Sequence, residues 1–398
     1  MSFAVPVPSD PAVRRLALAR LISATGSVAA NIALASVLYA RTGSAAWVAA
    51  ALFISFATPA LFSPLAGTLG DRLDRRRLLI ASDLFGAACF TAMALVTAPA
   101  ALLAVAFPAA LAAAPFLPAS GAMVPALAPA ERLTWANARL AVARNAGTLV
   151  GPVLGGVMVA VASGSAAFAV NAASFAVSAV LIATLRGSFR ASQRAAERAP
   201  SRIGEGVRLV LREPTLRALT LGFVLVDFGT GMVMPADPAL AHLFGTGSTG
   251  YGLMVALWGA GGVVASRFAG GVLDRRSEPA VIVASAGVLG LSFALTAVAP
   301  WFALALAALA AGGASMGMAG VAEDLLLQRR VADEVRGRVF AAHLAAVQLS
   351  LAVPLLFSGF VVNALGPRAV FGIAAGLAAC GLLALTTLLR RRAATAAA

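Results

Sequence analysis

The chain has 398 residues, 61% of them hydrophobic and 12% charged, with a formal net charge of +14. An ordinary soluble chain carries about 25% charged residues, so a string of soluble domains is excluded and an all-α integral membrane protein of many spans is expected. Such a positive charge on a soluble protein would suggest nucleic acid. Here its placement argues against that: all 30 basic residues are arginine, and in the topology below only Arg41 and Arg368 fall in outer loops, the bias that keeps basic loops in the cytoplasm.

Taken in order, span 1 covers 12–39, and its apolar run, 16–40, is too long for a signal peptide's core. It starts inside, near Arg14 and Arg15. Span 2 returns over 47–69, span 3 covers 78–96, and span 4 descends from Pro99 through Pro108, Pro115 and Pro118 to Leu127. Prolines are tolerated where neighbouring helices re-satisfy the freed carbonyls. Spans 5 and 6 follow at 135–161 and 165–185. The one long polar segment is 186–213, where Arg186, Arg190, Arg194, Arg198 and Arg202 recur every fourth residue. It reads as part linker and part surface helix on anionic lipid headgroups. Spans 7 to 12 are expected at 216–235, 250–273, 280–299, 302–327, from beyond the 328–338 loop to Asn363, and 369–389, stopping at Arg390, Arg391 and Arg392. The fold class is therefore about twelve transmembrane helices in two six-helix repeats. Its units are 1–185 and 214–398, joined by the basic linker 186–213. The protein is expected to be multi-pass in the cell membrane, with both termini cytoplasmic.

The turn between spans 2 and 3 holds Asp71, Arg72, Asp74, Arg75, Arg76 and Arg77 within seven residues. It recurs. A shift of 203 residues carries Gly67 onto Gly270, Asp71 onto Asp274, Arg72 onto Arg275, Gly26 onto Gly229, Glu131 onto Glu334 and Arg14 onto Arg217. Matching charges and glycines at one ungapped offset indicate a tandem duplication.

Two such groups of six spans, joined by a basic linker, resemble the major facilitator superfamily. Its loop pattern between spans 2 and 3, Gly-x3-Asp-Arg-x-Gly followed by three basic residues, is similar to Gly67, Asp71, Arg72, Arg75, Arg76 and Arg77 here, with Asp74 where the pattern has Gly. The copy at Gly270, Asp274 and Arg275 is truncated. The resemblance implies an inside latch, in which Asp71 and the arginines face a helix end of the other half and hold the outward-open state. A plain topogenic loop is the simpler reading. In span 5, Gly147, Gly151, Pro152, Gly155 and Gly156 fit Gly-x3-Gly-Pro-x2-Gly-Gly, a pattern that this superfamily's drug/proton antiporters carry. Glycines four apart bare one face for close helix approach. Segments around Glu131–Asn145, Asn171–Phe175 and Asp333–Phe340 are similar to a branch that includes siderophore and macrolide exporters. An arginine on span 4, frequent in drug/proton antiporters, is missing between Arg77 and Arg132; Arg144 is the nearest substitute.

Polar residues within spans are the remaining candidates. Asp227 lies eleven residues past Leu216, about 16 Å at 1.5 Å per residue and near the middle of a hydrocarbon layer about 30 Å thick. An ionised carboxylate there costs at least ~2.5 kcal/mol on insertion scales. An acid that is neutral when enclosed and ionised when opened to water can exchange a proton, so Asp227 is the coupling candidate. The plainer reading is structural glue, bonded across helices or to Thr230. Asp83 is expected to pair with the loop arginines, and Glu323 and Asp324 with Arg329 and Arg330. Arg20 either snorkels inward or meets an anionic substrate. On the spans that the resemblance implies line the cavity, Arg20, Asn31, Phe116, Met123, Phe228, Met232 and Met316 are the wall candidates, with Met and Phe suiting an apolar substrate.

Cys89 and Cys380 read as buried small hydrophobes, and no His, Cys and acid cluster has metal-ligand spacing. No phosphate loop and no lysine are present, so neither ATP nor another cofactor is expected, nor an enzyme. The expected function is secondary active transport: proton-coupled efflux of a hydrophobic or amphipathic small molecule. A nutrient importer of the same fold and a non-transporting membrane sensor or scaffold remain open. The expected partners are the substrate, protons and lipid, with the protein a monomer.

Overall fold

A computed structural model of the chain describes residues 11–161, 164–187, 189 and 203–397. Nine described helices are long and apolar enough to cross a membrane. The remaining passes are Ala45–Arg72, Leu133–Val161, and the pair Pro99–Ala113 and Phe116–Leu127. The chain is thus an all-helical, multi-pass membrane protein, consistent with twelve spans.

Span 1 is Pro11–Thr42, span 2 Ala45–Arg72, span 3 Arg75–Leu95, span 5 Leu133–Val161 and span 6 Gly164–Ala183. Span 4 is broken between Pro99–Ala113 and Phe116–Leu127, at Pro115. Span 7 is Pro214–Val233 continued by Ala236–Leu243, with the break at Pro235. Spans 8, 9 and 10 are Gly247–Leu273, Glu278–Val298 and Phe302–Arg330. Span 11 runs as Asp333–Ala352, a 3-10 turn Val353–Leu356 containing Pro354, and Ser358–Leu365. The three breaks share one cause: proline lacks the N–H that the ladder needs and crowds the carbonyl four residues back. Span 12, Pro367–Ala397, does not stop at Arg390–Arg392 but runs on past them. Of the linker's arginine stripe, Arg190, Arg194, Arg198 and Arg202 lie outside the described residues. Its last part is the helix Ile203–Arg212.

The chain forms two compact units. The first contains 1–33 and 54–198; the second contains 34–53 and 199–398. The first is built on a core of Val13, Leu16, Met123, Leu140, Ile182 and Phe189. The second has Val210, Leu219, Phe223, Ile282, Leu326 and Val339 at its centre. Within the second unit, the turn after span 1 is bonded to span 11. Asn363 accepts from the Ala45 N–H at 2.8 Å and donates to Ser44 Oγ at 2.7 Å. Gly359 lies so near that a Cβ would meet Ala46 Cα at 2.5 Å.

In the first unit the charged turn satisfies helix ends. Asp74 caps span 3, accepting from the Arg77 N–H at 3.1 Å and from the Phe189 N–H at 3.4 Å. Arg76 donates to the Ala183 carbonyl, and Arg15 to that of Thr184 at 3.5 Å. Both close the C-terminal end of span 6, where the last carbonyls have no helical donor and the helix dipole favours cations. Losing such a cap costs about 0.5–2 kcal/mol. Asp74→Ala is therefore expected to lower the thermal midpoint of the detergent-purified protein, with Asp74→Asn closer to the parent. Equal midpoints for all three would show that the cap contributes nothing.

Candidate functional site

Span 5 turns its glycines to span 1. A Cβ on Gly147 would lie 2.8 Å from Ala24 Cβ, one on Gly151 2.6 Å from Val28 Cβ, and one on Gly155 2.4 Å from the Ala29 carbonyl oxygen. The close-approach face read from the sequence thus meets the 21–29 stretch of span 1, and Pro152 is buried beside it. The surroundings of Gly156 lie outside the described residues.

Arg20, on the same stretch of span 1, is only 8% exposed and has not snorkelled to open water. The charge facing it is another cation, Arg144 of span 5. Asn31 accepts from Ser55 Oγ at 3.1 Å. Phe116 is half-buried against the core of the first unit, and Met123 is fully buried within it. Met123 packs there with Leu16, Val124 and Leu140.

In the second unit, Asp227 is 4% exposed on span 7. Thr230 is not its partner: that hydroxyl donates to the Val226 carbonyl one turn earlier, at 3.1 Å. The group facing Asp227 is the Glu323 carboxyl of span 10, close enough for like charges to interact. Glu323 in turn is hydrogen-bonded to Nε2 of His343 on span 11. The other ring nitrogen, Nδ1, lies 2.8 Å from Thr220 Oγ1 on span 7. Phe223 sets its ring edge-on to the imidazole at 6.1 Å. A polar cluster drawn from spans 7, 10 and 11 is thus enclosed in an apolar unit.

Glu323 was expected to meet Arg329 or Arg330. Arg329 instead pairs with Glu278 at the start of span 9. His343 has no charged residue within four positions in sequence, and only the packing of spans 10 and 11 brings it to Glu323. Asp83 is corrected as well. It is 1% exposed and faces Ser178 of span 6, not the loop arginines. Six to eight residues of helix, about 9–12 Å at 1.5 Å each, set it too deep for them. Phe228 packs on Phe357 at 6.0 Å and Met232 is buried. Met316 borders a gap of about 10 Å³ with Phe223 and Ser315, room for a single water at most.

These spans and their internal duplication match one family model twice, over residues 16–226 and 219–398, described as Major Facilitator Superfamily. The chain belongs to the Major Facilitator Superfamily. Among curated superfamily relatives, the multidrug efflux pump Tap of Mycobacterium tuberculosis is 28% identical over 391 residues, covering 92% of this chain and 91% of that protein. Macrolide efflux protein A of Streptococcus pyogenes is 23% identical over 369 residues, covering 90% and 91%. Among solved structures, nucleoside transporter NupG aligns with a TM-score of 0.73 at 15% identity, over 95% of this chain and 99% of that one. A bacterial homologue of the iron transporter ferroportin, in an inward-facing state, also scores 0.73 at 15% identity, over 95% and 98%. These structural likenesses show the fold.

For this superfamily member the residues of the implied inside latch divide. Gly67, Asp71 and Arg72 are on the last turns of span 2, and their surroundings lie outside the described residues. Arg75 donates to the Ala122 carbonyl at 3.2 Å and Arg76 to Ala183, both within the first unit; Arg77 is exposed. In the second copy Asp274 and Arg275 are exposed, and a Cβ on Gly270 would meet open space.

Proposed function

We propose that this superfamily transporter is a proton-coupled exporter of a hydrophobic or amphipathic small molecule. The observation that carries the proposal is alignment along nine-tenths of the chain with two proteins named for efflux. The span 5 glycine pattern supports the direction, and Asp227, enclosed yet beside a second carboxyl, supports the coupling. In this reading the sequence repeats 1–185 and 214–398 rock about the substrate as alternating-access halves. Asp71 and the loop arginines form the inside latch, and Asn31, Arg20, Phe228, Met232 and Met316 lie along the substrate's path. The protein works as a monomer in the cell membrane, with both termini cytoplasmic and the 186–213 segment against lipid headgroups.

The test is accumulation of a labelled macrolide, and of a panel of toxic compounds and siderophores, in cells with and without the protein. Cells lacking it should accumulate more of at least one compound, and a protonophore should erase the difference. Lower accumulation without the protein would mean import. No difference for any compound would favour a sensor or scaffold.

A further inference from the structure

The Thr220–His343–Glu323 chain deserves its own chemistry, because three helices meet at one imidazole. The Glu323 side chain is 15% exposed and that of His343 6%, so the pair is enclosed but has one edge towards open space. The charged groups facing it are Asp227 from span 7, next to Glu323, and Asp324 from span 10, next to His343. The nearest arginine along span 11, Arg338, pairs with Glu205 of the linker helix. Two carboxyls, Glu323 and Asp324, thus face the ring, and a third, Asp227, faces Glu323.

We propose that Glu323 and His343 form one proton-accepting site, whose charge state is passed to span 7 by reversal of the Thr220 hydrogen bond. Its use in driving export rests on the proton-coupled reading above; its existence does not.

The proton count enforces the reversal. With Glu323 ionised and His343 neutral, the ring's single hydrogen sits on Nε2 and is donated to the carboxylate. Nδ1 is then bare and accepts the Thr220 O–H. Add one proton. If it makes an imidazolium, both nitrogens carry hydrogen and Nδ1 becomes a donor. If it resides on Glu323, the carboxyl O–H donates to Nε2 and the ring's own hydrogen moves to Nδ1. Either way Nδ1 gains a hydrogen, and the Thr220 oxygen turns from donor to acceptor. Its displaced hydroxyl hydrogen has an outlet in the carbonyl of Leu216, one turn back, a common partner for helical threonine. Proton uptake between spans 10 and 11 therefore changes the bond that joins span 11 to span 7, the helix that carries Asp227.

The sequence has only two histidines, His242 and His343, which makes the site directly observable. The experiment is nitrogen NMR of histidine-labelled full-length protein in lipid nanodiscs, in a His242→Gln background. If that variant does not fold, the His343→Gln spectrum is subtracted from the parent's. At the alkaline end Nε2 should carry the hydrogen and Nδ1 should show as an acceptor. On acidification Nδ1 should gain a hydrogen. Glu323→Gln should move that midpoint by a pH unit or more, a tenfold change in proton affinity. Thr220→Val should abolish the Nδ1 hydrogen-bond signature, and Thr220→Ser should restore it. No change at Nδ1 between about pH 5 and about pH 9, where an imidazole is able to titrate, would overturn the proposal. So would a Glu323→Gln titration equal to the parent's. If the pair titrates as expected but a pH gradient drives no export, the proton-coupled reading fails while this site stands.

Discussion

Gly155→Leu is expected to abolish most transport and lower the thermal midpoint. The first atom of the new side chain would lie 2.4 Å from the Ala29 carbonyl oxygen and 2.8 Å from its Cα. Both are backbone atoms of span 1 and cannot rotate away, so the two helices must separate along the line that Gly147 and Gly151 share. Overpacking of this kind costs about 1–3 kcal/mol, enough to disturb Arg20 and Arg144 on the facing stretches. The adjacent Leu154 is 43% exposed and points off the seam, so Leu154→Ala is the control and should behave as the parent. Efflux rate at equal protein level, with the melting midpoint beside it, separates loss of function from loss of fold. A fully active Gly155→Leu protein with an unchanged midpoint would mean that the close contact has no part in function.

Asp227→Asn is expected to abolish the response of transport to a pH gradient and to leave substrate binding measurable. The substitution keeps the shape of the side chain and removes the exchangeable proton. An amide also needs no desolvation of charge in this enclosed place, so the variant should fold as well as the parent. The measurement is gradient-driven efflux from proteoliposomes, set against counterflow, which needs no net proton movement. Retained counterflow with lost gradient response is the expected pair of results. A variant that answers the gradient as the parent does would remove Asp227 from the coupling machinery.

The sequence reveals the spans because charge and apolarity alternate over lengths that a bilayer imposes, and it reveals the glycine seam because Gly147, Gly151 and Gly155 share a helix face wherever that face points. Asp227 could be placed by counting residues from the end of its span. Partners are another matter. Arg329 and Arg330 follow Glu323 by six and seven residues, about 9–10.5 Å along a helix, whereas His343 comes within bonding distance only when spans 10 and 11 pack. Likewise nothing local marks Asn363 as the partner of Ser44 and Ala45, which lie more than three hundred residues away. Asp74 looked like a departure from the loop pattern of the family. In the fold it caps span 3 and also accepts from the Phe189 N–H beyond span 6.

Proton coupling of export is the central claim, and a single preparation tests it most directly. Purified protein is reconstituted into vesicles with a pH-sensitive dye, and a labelled macrolide is added on the side from which export begins. Imposing a pH gradient should accelerate movement of the macrolide, and adding the macrolide should accelerate collapse of the gradient. Movement of the macrolide at one rate with and without the gradient, and with no proton flux, would contradict the account.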